Sequence, residues 1–155
     1  MMLRRLEPYY VNIGKRLVKS PKVYIRDCGL LHALLNIPDI DTLVGHPVAS
    51  YSWEGLMLEQ IFSLCPKGAD IGFYCTAAGA ELDVVVTHGE KKYGFEITLS
   101  SAPKITKRFW QACKDVGVDH AFIVGNVDDG WPMKSLANHT VDVISAGQIG
   151  WALAR

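Results

Sequence analysis

Two carboxylates on neighbouring strands are the residues of this chain best placed to do chemistry. They lie in the segment 79–98, GAELDVVVTHGEKKYGFEIT. Val84, Val85 and Val86, and then Tyr93, Phe95 and Ile97, are strong strand formers. The polar turn THGEKK, with Gly89, separates them. A turn centred on Gly89-Glu90 pairs Val86 with Tyr93, Val84 with Phe95 and Leu82 with Ile97, six residues that share one apolar face by alternation. Asp83 then stands opposite Glu96 on the other face, with Cβ atoms about 4.5–5.5 Å apart, and Thr98 stands opposite Glu81. Like charges so placed repel. A divalent cation such as Mg²⁺ or Mn²⁺ is one counter-charge that would offset them, and Lys92 on the same polar face is another. Acidic residues on strands more often simply mark the solvated side of a half-buried sheet.

Further residues join this pair through a resemblance. From about Pro8 to the last strand, the chain carries KRLVKSPKVYIRDCGLLHAL (15–34), then Trp53-Glu54-Gly55, GAELD and FEIT. In that combination it resembles the C-terminal domain of unknown function found behind an AAA-type ATPase domain in many bacterial and archaeal proteins. That family is similar to the PD-(D/E)xK nuclease superfamily, with its restriction-endonuclease-like mixed sheet flanked by helices. The resemblance implies a first acid at Asp83, the (D/E)-x-K motif at Glu96-Ile97-Thr98, and the helix glutamate at Glu54. It also implies an upstream ATPase domain as partner, DNA as a substrate class, and a prokaryotic cytoplasmic setting. The chain departs from the motif at Thr98, where lysine is called for.

Metal-dependent phosphodiester hydrolysis uses a cation to polarise the phosphoryl oxygen and acidify a bound water. Asp83, Glu96 and the Ile97 carbonyl would offer Mg²⁺ three of its octahedral oxygens, with Glu54 as a further ligand, directly or through water. The motif lysine would orient the water and stabilise negative charge, which Thr98 cannot do. Lys104 and Lys107, on the helix after the sheet, are the residues that could reach in; Lys104 is the first choice, and Lys92 ranks behind both. A solvated helix face accounts for the two helix lysines equally well. Glu54 is also explained by the helix dipole alone, at about 0.3–1 kcal/mol. Glu59 is its rival.

The chain has 155 residues and a formal net charge of zero, which fits one soluble domain able to bury a core without disulfides. It contains no apolar run of membrane-spanning length and no secretory leader at MMLRRLEPYY. Cys28, Cys65, Cys75 and Cys113 form no C-x-x-C pair, so they read as reduced, partly buried small residues. No G-x-x-x-x-G-K-[ST] motif occurs, so no ATP site of that kind is expected.

Zero net charge hides an asymmetry. Residues 1–26 hold Arg4, Arg5, Lys15, Arg16, Lys19, Lys22 and Arg26 against a single acid, Glu7. Residues 1–20 read as a basic arm or linker, and 21–155 as the α/β domain. Lys15, Arg16 and Lys19, with Lys107, are the expected contacts to nucleic-acid phosphate. Docking of the arm on an acidic upstream domain is the competing expectation.

The elements that must position these groups follow from local pattern. KVYIR reads as a strand, and Asp27 caps a helix CGLLHALLNI whose apolar stripe is Leu30, Leu31, Leu34 and Leu35. His32 falls off that stripe, toward the surface. PDIDTLVGHPVAS reads as a polar connection. A helix opens at Tyr51 or Ser52, and IGFYCT starts an antiparallel meander. A helix over 104–116 buries Phe109, Ala112, Cys113 and Val116. DHAFIVG is a buried strand locally parallel to the meander, VDVIS a last strand and AGQIGWALA a closing helix. The pattern predicts a mixed α/β fold. Homo-oligomerisation through an apolar patch including Trp131 or Trp151 is a further expectation.

Overall fold

The computed structural model describes residues 1–12, 14–136 and 139–155, with side chains outside 134–139. Eight strands form one mixed sheet: β1 (Leu3–Pro8), β2 (Lys22–Ile25), β3 (Asp70–Cys75), β4 (Glu81–His88), β5 (Lys91–Ile97), β6 (His120–Val124), β7 (Trp131–Leu136) and β8 (His139–Ile144). Their order is β2-β1-β3-β4-β5-β6-β8-β7. The β1–β3, β5–β6 and β6–β8 pairs are parallel and the others antiparallel. The expected mixed sheet flanked by helices is what the chain forms.

Helices cover both faces. On one, α3 (Ala49–Leu64) and α5 (Ile149–Leu153) bury Met57, Leu58, Ile61 and Ile149 against Val84, Val86, Phe95 and Phe122. On the other, α4 (Lys107–Val116) buries Phe109, Ala112, Cys113 and Val116, the four residues its periodicity predicts, against Tyr74, Val85 and Ile123. Thr106 caps α4 by accepting the Phe109 N–H, and Gly117, at φ +69°, ends it in the left-handed region. The helix therefore begins at Lys107, three residues after the predicted start.

From His88↔Lys91 to Val84↔Phe95 the hairpin register is the predicted one, but the expected pairs Asp83↔Glu96, Leu82↔Ile97 and Glu81↔Thr98 are not part of it. Gly89, at φ +61°, takes the first position of its two-residue turn. One residue of the predicted apolar face is misplaced. Gly72 pairs with Val85 and Tyr74 with Leu82, so β4 takes three steps against two on β3. This bulge turns Leu82 to the α4 side, beside Val85. Asp83 lies inside the bulge.

Other differences concern elements with weak local signals. Residues 3–8, expected in a basic arm, form β1 between β2 and β3, with Leu6 1% exposed. A single buried leucine among charged neighbours carries little periodic signal. The connection after Pro38 contains a short helix, α2 (Ile40–Val44), capped by Asp39. Helix α3 begins at Ala49, ahead of the predicted Tyr51 or Ser52. Of the predicted stripe on α1 (Cys28–Leu34), Leu31 is buried, whereas Leu34 and Leu35 are exposed. His32 is half-buried and bonded to Ser52 Oγ at 2.7 Å. WPMKSL, for which no strand was expected, forms β7 at the sheet edge.

Candidate functional site

The hairpin of β1 and β2 brings a lysine to the carboxylates of β4. Lys22 and Tyr24 are two apart on β2 and share a face. Lys22 Nζ lies 2.9 Å from Glu81 Oε1, 3.4 Å from Asp83 Oδ1 and 3.5 Å from Glu54 Oε1. Its ammonium also sits 5.3 Å from the centroid of the Phe73 ring. The Tyr24 hydroxyl donates to Glu54, and its ring stacks on Tyr51 at 5.3 Å. A Cβ on Gly55 would stand 3.6 Å from the Tyr24 ring, so α3 approaches β2 closely just where Glu54 must be delivered.

Asp83 is held from two sides. Its Oδ2 accepts the Ile97 N–H at 2.8 Å, while Oδ1 faces Lys22. Its side chain is only 13% exposed. Burial pushes its carboxyl above the ordinary aspartate value, and the charge of Glu54 adds to this, against Lys22 and the Ile97 N–H. Glu96 is raised more strongly, first by burial and then by the charges of Asp83 and Glu81. For the Lys22 ammonium, burial alone would lower its pKa. Asp83, Glu54 and Glu81 together outweigh that and raise it, so Lys22 is a fixed cation.

Three carboxylates, those of Glu54, Glu81 and Asp83, thus surround a single ammonium. Carboxylate oxygens are the donors that Mg²⁺ or Mn²⁺ takes, while the Asp83 and Glu96 carboxyls are raised first by burial and then by their acidic neighbours. Among the described residues no three His, Cys, Asp or Glu side chains already stand as a metal-ligating group. Glu54, Glu81 and Asp83 are gathered by Lys22 instead.

The predicted residues fall into three places. Glu54 and Asp83 meet at Lys22, and the Ile97 N–H donates to Asp83. Glu96, between Phe95 and Ile97 of the α3-side core, alternates to the other face and lines a cleft with Ile123 there, so it does not stand opposite Asp83 as expected. Lys104 shares a cleft with Glu96, Thr98 and Thr106, whereas Lys107 lines a separate hollow with Lys15 and Arg108. Lys15 pairs with Asp115 at 2.7 Å, and Arg16 and Lys19 border a groove beyond the end of β3. Lys92 Nζ is turned to the Val116 carbonyl. Glu59, the rival of Glu54, is taken up by Arg4 and Arg26 at 2.7 and 3.0 Å.

Sequence reasoning missed three members: Lys22, Tyr24 and Glu81. Lys22 is 61 residues from Asp83 along the chain, and no local spacing encodes that contact. The i, i+2 placement of Lys22 and Tyr24 on a short strand is the one signal that could have singled them out.

Comparison with known proteins places this geometry in a family. Residues 1–41 match the model of a domain of unknown function, DUF8612. Residues 50–147, more than half of the chain, match that of another, DUF4143. An uncharacterized protein of Mycobacterium bovis, Mb2031c, is 38% identical over 149 residues, which cover 96% of this chain and 33% of the relative. The uncharacterized protein Rv2008c of Mycobacterium tuberculosis gives the same figures. The chain therefore spans about a third of the length of these curated relatives. No solved structure matches it. Among the described residues no helix is long and apolar enough to cross a membrane. With Glu54, Asp83, Glu96 and most of the sheet lying inside the matched stretch, the chain belongs to the DUF4143 family of domains of unknown function.

Proposed function

We propose that this domain is a nuclease-like module, working behind an ATPase domain, whose carboxylate cluster binds a divalent metal to hydrolyse phosphodiester bonds in DNA. The observation that carries the reading is Lys22 Nζ within 3.5 Å of Glu54, Glu81 and Asp83. A lysine delivered from another strand to Glu54 and Asp83 would supply the charge that Thr98 lacks. When bound, the metal would polarise the phosphoryl oxygen and supply an acidified water. Asp83, Glu96 and Glu54 would hold it. Tyr24 orients Glu54, and Lys22 offers its fixed charge to negative charge developing on phosphate. The ATPase domain follows from the family resemblance and accords with relatives three times as long.

A non-cleaving reading is favoured by one observation: the Lys22 ammonium already occupies the centre of the cluster. In that case the ion group is structural, and the domain binds DNA or protein. Trp131 and Trp151, 40% and 53% exposed and lining one groove, would suit an architectural or self-associating role. Incubating labelled single- and double-stranded DNA with the chain, in Mn²⁺ and in EDTA, separates these readings. Mn²⁺-dependent products that disappear in both Asp83→Asn and Lys22→Met support cleavage. Products unaffected by either substitution, or none at all, sink it.

A further inference from the structure

The chain between β1 and β2 folds back along the end of β3. The Val18 N–H donates to Cys75 O and the Ala77 N–H to Arg16 O, both at 2.9 Å, and Leu17 bridges Thr76. This leaves a groove lined by Tyr10, Lys15, Arg16, Lys19 and Ala77. Across the turn at 77–80, a second hollow is lined by Lys15, Lys107, Arg108 and Gln111. The Arg108 guanidinium lies over Gly79, where a Cβ would stand 3.4 Å from Cζ.

Five cations therefore surround one turn. Lys15 is neutralised by Asp115. Among the described residues Arg16, Lys19, Lys107 and Arg108 make no ion pair, and all four are exposed. In a chain of zero net charge this is a local field of one sign. Val18, which lines the groove, bonds Cys75, and Cys75 pairs with Glu81 on the next strand, about 4.8 Å away.

We propose that this surface is a track for the backbone of single-stranded nucleic acid, running past the turn at 77–80 to the carboxylate cluster. Unpaired arginines and lysines take phosphates. Tyr10, 64% exposed in the same groove, offers a face for base stacking, which an acidic protein surface would not use. Cations at the border also offset the repulsion a polyanion meets from the cluster. The direction of the track rests on the cleavage reading above; the track itself does not.

The test is fluorescence anisotropy of labelled oligo(dT) with the whole chain in EDTA, over a range of salt. The wild type binds with an affinity that falls steeply with salt. The triple variant Arg16→Gln/Lys19→Gln/Arg108→Gln loses about tenfold or more, with a salt slope lower by about two to three. Tyr10→Ala loses about fivefold or more, and Lys67→Gln, outside the groove, stays with the wild type. No binding at low salt, or a triple variant that binds like the wild type, overturns the proposal. Polyglutamate competing as well as DNA at equal charge, with Tyr10→Ala indifferent, overturns it in favour of an acidic protein partner. Oligonucleotide binding through the groove without Mn²⁺ binding keeps the track and defeats the cleavage reading. Mn²⁺ binding at Asp83, with DNA affinity indifferent to the triple variant, does the reverse.

Discussion

Lys22 Nζ stands 3.4 Å from Asp83 Oδ1, although two strands, β1 and β3, separate theirs in the sheet. The contact is possible because β2 pairs with residues 3–6 of β1 and β3 with residues 7 and 8. The β1–β2 hairpin can thus carry Lys22 over the Phe73 ring, on the face that α3 covers. A charge brought so far and desolvated among acids is there for its partners.

Removing that charge should therefore be costly. In metal-free buffer at neutral pH, Lys22→Met leaves Glu54, Glu81 and Asp83 without a cation and should lower stability by ~1–3 kcal/mol. Urea denaturation reads the loss, and added Mn²⁺ should return part of it. A variant as stable as the wild type would mean the ion cluster contributes nothing to the fold.

Glu96 should make stability fall with pH. Its carboxyl is raised from 4.5 to about 8 by burial and the neighbouring Asp83 charge. Between those values the native state binds more protons than the unfolded chain. The contribution is thus fully present below the ordinary glutamate value and lost as pH rises through about 8. Glu96→Gln removes this dependence. Its advantage over the wild type should be nil where the carboxyl is protonated in both the folded and the unfolded chain, and should grow as pH rises until Glu96 is ionised in the wild type, read by denaturation without metal.

Asp115 should act in the opposite sense. Burial would raise its carboxyl, but bonds from Lys15, Gln111 and Tyr74 hold it below the ordinary aspartate value. Its stabilisation is present above that value and lost as pH falls through the depressed one. Asp115→Asn should cost about 1–2 kcal/mol at neutral pH. The difference from wild type should narrow as the solution is acidified below the ordinary aspartate value.

Leu6 tests whether the first strand belongs to the fold. It is 1% exposed and packs in the core with Tyr24, Met57 and Phe73. Leu6→Ala should cost about 2–4 kcal/mol in thermal or urea unfolding. A cost below about 0.5 kcal/mol would fit a peripheral arm and contradict the packing seen.

How much of this was legible follows from where the information sits. The pairing of Val84 with Phe95 is written in alternation and a glycine turn, both local. The core face of α4 is written in a 3.6-residue period. Leu82 was misjudged because the bulge at Asp83 depends on β3 packing on β4, which alternation alone does not encode. Asp83 and Glu96 were singled out by the hairpin register and Glu54 by the family resemblance. Lys22 was not, because its role exists only once β1 and β2 cross the sheet. Strand β1, with one buried leucine among charges, and β7, an edge strand with Pro132, offered too little periodic signal to detect.

The central claim is that the cluster around Lys22 is a cation site, and Mn²⁺ binding tests it most directly. Titrating Mn²⁺ into the wild type, Asp83→Asn and Glu96→Gln, followed by heat and by paramagnetic broadening, should show one specific site in the wild type. That site should be lost or weakened at least about tenfold in each variant. Weak binding equal in all three proteins would contradict the account and leave the cluster a structural ion group.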